Sequence, residues 1–239
     1  RITALFLSAP LFSSREFPAP FKIGLGLLAS LVVLPLVPVG PLPDDLGGYV
    51  GYAAAELGVG LTLGFFATMM FSAFQLSGQY VAQQMGLAME DIVDPLTDAE
   101  LPVVGQFQFF LAMTVYVSCG FHRTLLAATA GSFDVLPLGS FRPTPALVDH
   151  LVESFAGMLL LSFQIAAPVL VALFLSTVAL GFVARAVPQI NVFLLSFPIQ
   201  IGLGLGMMIW TLPVLAHSAL RICEAIAGDM QGILEAARG

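Results

Sequence analysis

The sequence predicts an all-α protein of the membrane class, a polytopic set of helical hairpins with broken helices, and three observations lead there. Of 239 residues, 58% are hydrophobic and only 10% charged, where an ordinary globular domain carries about a quarter charged residues. The apolar residues gather in long uncharged runs, several of them approaching or exceeding the length of a membrane span. Prolines fall inside those runs, and each removes a backbone donor and crowds the preceding turn. So few charges cannot cover a folded monomer with a water-compatible surface, so lipid or partner helices must cover it.

Uncharged runs mark the helices, because a mid-bilayer charge is costly while each Leu, Ile, Phe or Val gains about 0.3 to 0.6 kcal/mol. The partial run 2–12 is too short to cross a bilayer, which takes about 20 residues. It is expected to continue a helix, with Ser8, Ala9 and Pro10 leading into structure rather than to the cleavage site of a signal peptide. The strong runs are 23–39, 57–89, 101–121, 154–184 and 186–220. As one helix, 57–89 would extend roughly 50 Å, against a hydrocarbon layer of about 30 Å, so it must tilt, break or leave the bilayer. Run 186–220 contains Pro188, Pro198 and Pro213 and is expected as broken helices or a helical hairpin. Polar loops are expected at 13–22, 41–48, 90–100 and 132–153. None is long enough for a second domain, so residues 1–239 read as one. Arg15, Lys22, Arg123, Arg142, Arg185, Arg221 and Arg238 are too scattered to assign an orientation.

A formal net charge of −7 with no basic cluster argues against nucleic acid as a partner. Cys119 and Cys223 are isolated in apolar stretches and form no metal or redox spacing. His122, His150 and His217 are far apart and sit beside no Cys or carboxylate at ligand spacing, and no Gly-x-Ser-x-Gly turn presents a nucleophile. No active site and no cofactor are expected. The glycines at 58–64 lack the preceding strand and later acidic residue of a dinucleotide loop. Gly60 with Gly64, and Gly202 with Gly206, instead stand four apart on one helix face, where a neighbouring backbone can approach closely.

Two stretches carry more. The segment Gly86-Leu-Ala-Met-Glu-Asp-Ile-Val-Asp-Pro95 starts at the apolar end of a run and then gathers Glu90, Asp91, Asp94, Asp98 and Glu100 before the next run. One reading is a solvated acidic turn, ended by Pro95. The other is a re-entrant loop whose Leu87, Met89, Ile92 and Val93 press into a channel while the carboxylates face water, methionine adapting well to an irregular seal. In the second stretch, 185–198, Gln189 and Asn191 are neutral hydrogen-bonders able to satisfy backbone groups exposed by Pro188 and Pro198. A packed kink and a shaped subunit interface are both open there.

At these stretches the chain resembles the FliR family, the flagellar branch of a group shared with the type III injectisome subunits called SctT. Ser8-Ala-Pro-Leu-Phe12 with Arg15, Pro18, Lys22 and Gly24 is similar to the family's first block, and Gln84-Met-Gly-Leu87 with Val93-Asp-Pro95 to its central loop. Phe133 with Leu136-Pro-Leu-Gly139 resembles its middle block, and Pro188-Gln-Ile-Asn-Val-Phe193 with Phe197-Pro198 its late signature. The resemblance implies a subunit of the flagellar export gate in the inner membrane at the basal body. It implies FliP-type and FliQ-type partners in a closed helical cone, association with FlhB-type and FlhA-type proteins, and passage of unfolded flagellar proteins. It also implies a central loop, here 86–102, that plugs the pore, and helices raised largely out of the bilayer. Met89 and Ile92 fall where the family often has aromatic residues, and Glu90 and Asp91 replace its small or hydroxylated ones. A secondary transporter or small-solute channel is the competing class, but it would bury substrate-binding charges at mid-membrane depth, which the uncharged runs lack.

Overall fold

The computed structural model describes residues 1–10, 18–38, 43, 45–87, 103–189 and 191–238. Among them no strand occurs. The helices are α1 (Ile2–Ser8), α2 (Ala19–Val33, followed by a 3-10 turn, Leu34–Leu36), α3 (Leu46–Met85), α4 (Val103–Ser118), α5 (Phe121–Val135), α6 (Pro145–Ala186) and α7 (Val192–Arg238). Three of them, α3, α6 and α7, are long and apolar enough to cross a membrane, and α4 with α5 would make a fourth if that bent pair is one span.

The boundaries correct the sequence reading at several points, beginning with α2, which starts at Ala19 inside the stretch expected as the loop 13–22. α3 begins at Leu46 and passes through Glu56, although that charge closes the uncharged run on its N-terminal side. It does so because Glu56 is paired, as described below. The stretch 132–153, expected as a polar loop, holds the end of α5 and the start of α6. α6 starts there because Pro145 takes its first position and the Thr144 hydroxyl accepts the Leu147 N–H at 3.2 Å, a capping arrangement that satisfies an otherwise orphan donor. Finally, α7 runs through Pro198 and Pro213 as one helix of 47 residues instead of breaking at them. Each proline costs one backbone bond, and the turns on either side carry the helix past it. The sharp break lies in the run 101–121: Gly120 adopts φ 71° and ψ 21°, and α4 and α5 diverge by 67°. That left-handed geometry suits glycine, which has no Cβ to clash.

Two compact units emerge. The first comprises Arg1–Phe71, Tyr116–Gly157 and Leu220–Gly239. Its core buries Leu5, Leu63, Phe66, Phe71, Leu136, Met230 and Ile233 almost completely, and Phe71 meets Tyr116 edge-on at 5.1 Å. α1 lies against α2 where Gly26 leaves room for the Thr3 backbone. The second comprises Ser72–Val115 and Met158–Ala219. Its core is Val81, Ala82 and Met85 of α3, Val104 of α4, Ala166, Val169 and Leu173 of α6, and Met208 of α7.

Internal burial is uneven along the long helices. The most apolar stretch of α3 is 56% buried within the chain, that of α6 33% and that of α7 17%. Phe155, Phe174 and Phe182 of α6 and Leu194, Ile209 and Trp210 of α7 stand exposed. At 1.5 Å per residue α7 spans about 70 Å, more than twice the thickness of about 30 Å that lipid tails cover.

Candidate functional site

The central loop leaves a tightly built stem. Gly78 of α3 and Gly105 of α4 meet backbone to backbone, so closely that a Cβ on Gly78 would stand 2.8 Å from the Gly105 nitrogen. Next to Gly78, the fully buried Ser77 hydroxyl donates to the amide oxygen of Gln108, one turn beyond Gly105 and also buried. Polar groups that deep need partners, and these supply each other's. Met85, the last residue of α3, and Val104, the second of α4, sit in the same apolar cluster. α3 ends because Gly86 takes φ 81°, its N–H bonding the Gln83 carbonyl at 3.1 Å. Both ends of the excursion are therefore anchored in one core.

Of the residues singled out for this loop, Gly86 and Leu87 are described, Leu87 being exposed. Met89, Glu90, Asp91, Ile92, Val93, Asp94, Pro95, Asp98 and Glu100 lie outside the described residues. The structure does bring the loop's first residue to the late signature: a Cβ on Gly86 would stand 2.9 Å from Cε1 of Phe197.

At the start of α7, Pro188 and Gln189 are exposed in the short turn after α6. Asn191 works as a helix cap, its side-chain oxygen accepting the Leu194 N–H at 3.3 Å. Phe193 is in the first turn of α7, and Pro198 is exposed within the helix. The glycine pairs differ. Gly60 and Gly64 are buried against α1, where a Cβ on Gly60 would collide with the Arg1 carbonyl oxygen and one on Gly64 with the Ser8 hydroxyl. Gly202 and Gly206 are exposed, with no atom within 4 Å of a Cβ built on either.

Sequence reasoning missed a buried ionic cluster in the first unit. The Arg1 side chain is 0% and that of Glu56 16% exposed, and Arg1 Nε lies 2.5 Å from Glu56 Oε2. That N–H is not aligned on the oxygen, so the contact is an ion pair more than a hydrogen bond. The directed bonds come from the other guanidinium nitrogens, to Ser132 Oγ at 3.0 Å, to Glu56 Oε1 at 3.1 Å and to the Leu136 carbonyl at 2.6 Å. Glu56 Oε1 also accepts the Gly139 N–H at 3.0 Å, and the guanidinium stacks 4.3 Å from the Phe133 ring centre. One pair thus ties α1, α3 and the 136–139 turn together. The available signal was Glu56 itself, since an acid embedded in an apolar segment implies a partner.

Other features offer little chemistry. An apolar recess of about 360 Å³ is lined by Val104, Phe107, Leu205, Met208 and Leu212 with their neighbours. Among the described residues no three His, Cys, Asp or Glu side chains converge on a possible metal position. His122 Nδ1 and His150 Nε2 are buried atoms without hydrogen-bond partners.

Helices longer than a bilayer, apolar flanks bare of cover and a rigidly stemmed loop define a polytopic helical protein of the membrane class. Residues 1–226 match the family described as bacterial export proteins, family 1. The chain is 34% identical to the flagellar biosynthetic protein FliR of Bacillus subtilis, over 98% of this chain and 92% of that one. It is 26% identical to FliR of Escherichia coli, over 98% and 88%. It is also 29% identical to the Yop proteins translocation protein T of Yersinia pestis, over 92% and 86%. The chain belongs to this family of bacterial export proteins, the one that contains FliR.

Proposed function

We propose that the chain is a non-enzymatic subunit of the flagellar type III protein export gate. It works in the bacterial inner membrane at the flagellar basal body. With FliP-type and FliQ-type subunits, and associated with FlhB-type and FlhA-type proteins, it forms the helical cone through which unfolded flagellar proteins pass. The observation that carries this reading is the 34% identity to a FliR protein across 98% of the chain. The uncovered flanks of α6 and α7 support it, because partner helices supply the apolar cover that the chain does not provide for itself.

Within that gate, Leu87, Met89, Ile92 and Val93 of the 86–102 loop close the pore at rest. An apolar constriction excludes water and so blocks ions, while Glu90, Asp91, Asp94, Asp98 and Glu100 remain hydrated. No bond is made or broken, and the driving energy comes from elsewhere. The test is expression of the chain in flagellated cells lacking their own FliR subunit. The intact chain restores motility, which an injectisome subunit would not, and deletion of residues 86–95 raises ion leakage while the complex still assembles. Unchanged conductance in the deletion overturns the plug.

A further inference from the structure

α7 changes character part way along. From Val192 to Ala219 it carries no Asp, Glu, Lys or Arg, and Leu194, Leu205, Ile209, Trp210 and Val214 stand exposed on it. The exposed His217 then begins a different exterior, in which Arg221, Glu224, Asp229, Gln231 and Glu235 face outward. On the inner side of that later part, Ile222, Cys223, Ile226, Met230, Ile233 and Leu234 are all buried. Their spacing of three and four residues puts them on one helix face. The last turns of α7 are therefore amphipathic and find their apolar cover inside the chain, which the earlier turns do not. α6 makes the same change in the opposite direction. Its opening turns expose Asp149 and Glu153, after which residues 154–184 carry no charge and expose Phe155, Leu160, Phe163 and Phe174. The two charged stretches lie side by side. The Thr144 hydroxyl donates to the Ala236 carbonyl at 2.5 Å and the Arg142 N–H to that of Ala237 at 3.3 Å, while a Cβ on Gly232 would stand 3.4 Å from Cε1 of His150. Carbonyls of the last turn of α7, which have no partner within the helix, are satisfied there.

We propose that the boundary between apolar and aqueous surroundings crosses α7 between Val214 and Arg221, so that residues 221–238 form an arm standing in water with the opening turns of α6 beside it. A charged side chain is costly in hydrocarbon and an exposed leucine is favoured there, so the two exteriors of α7 suit two different media. Two helices that touch at Gly232 and Thr144 change exterior together, which a chance run of charges on one of them would not produce. At 1.5 Å per residue the arm reaches about 27 Å beyond the apolar part of α7. The inference needs only the succession of surroundings along α7 and stands whether or not the export reading does.

The test uses the whole chain in membranes of flagellated cells lacking their own FliR subunit, on a Cys119→Ala, Cys223→Ala background. The membranes are opened so that both faces meet a membrane-impermeant sulfonated maleimide. Glu224→Cys, Asp229→Cys and Glu235→Cys label severalfold faster than Leu205→Cys and Ile209→Cys, which react fully only after the membranes are dissolved in denaturing detergent. Equal labelling of the two sets, or an arm that stays unlabelled, overturns the boundary. Added charge gives a second measurement that needs no cysteine background. Ala225→Lys and Gln231→Lys leave the amount of chain in the membrane unchanged, and Leu205→Lys and Ile209→Lys lower it. An equal loss in both sets overturns the proposal, and this comparison decides alone should the cysteine-free chain fail to fold. Failure to restore motility, by contrast, counts against the export reading only.

Discussion

Gly60 with Gly64 on α3 and Gly202 with Gly206 on α7 have the same spacing and opposite surroundings. The first pair is buried, and α1 fills the space so fully that no side chain would fit. The second pair is exposed, in a helix whose most apolar stretch is 17% buried. Four-residue glycine spacing marks a face made for close approach, and says nothing about which chain approaches. On α3 the neighbour comes from the same polypeptide. On α7 the face is left free.

The contrast can be broken most forcefully at the ion pair that accompanies α1 onto its glycines. Arg1→Met alone strands a mostly buried Glu56 carboxylate and should cost about 3 to 5 kcal/mol, read as a lower Tm of the purified complex. Arg1→Met with Glu56→Leu should recover most of it, and an unrecovered double variant would show that the bonds to Ser132 and Leu136 dominate instead. Next, Gly60→Val or Gly64→Val should destabilise by about 1 to 3 kcal/mol, seen as α1 becoming accessible to protease. An unaffected protein would mean that α1 is not seated there. The smallest effect carries the opposite sign. Gly202→Ala or Gly206→Ala should leave the chain as stable, or more so by up to about 1 kcal/mol, while lowering the recovery of co-purified partners. A loss of stability in the chain itself would erase the distinction between the pairs.

The helical class and the long spans were legible because charge is sparse and its absence is contiguous. Proline misled at Pro198 and Pro213: a single lost bond does not end a helix with many turns on either side. Gly120, never singled out as a break, makes the sharp bend because its backbone turns left-handed, a property that no run of apolar letters reveals. Thr144 before Pro145 was a readable helix start hidden inside a stretch taken for a loop. At the candidate site, Gly86 and the Phe197-Pro198 signature were each visible, but their meeting was not, since it joins residues 111 positions apart (197 − 86). Glu56 looked like the edge of a run only because its partner is 55 residues away.

The stem formed by Gly78, Gly105, Met85 and Val104 also bears on how such a protein can change over generations. Both feet of the excursion stand in one core, so its ends are held by residues outside the segment that joins them. Doubling the length of chain between ends held in this way adds only about 0.6 kcal/mol of closure entropy. Length changes between the two feet are therefore inexpensive, while changes at the feet themselves disturb the packed core.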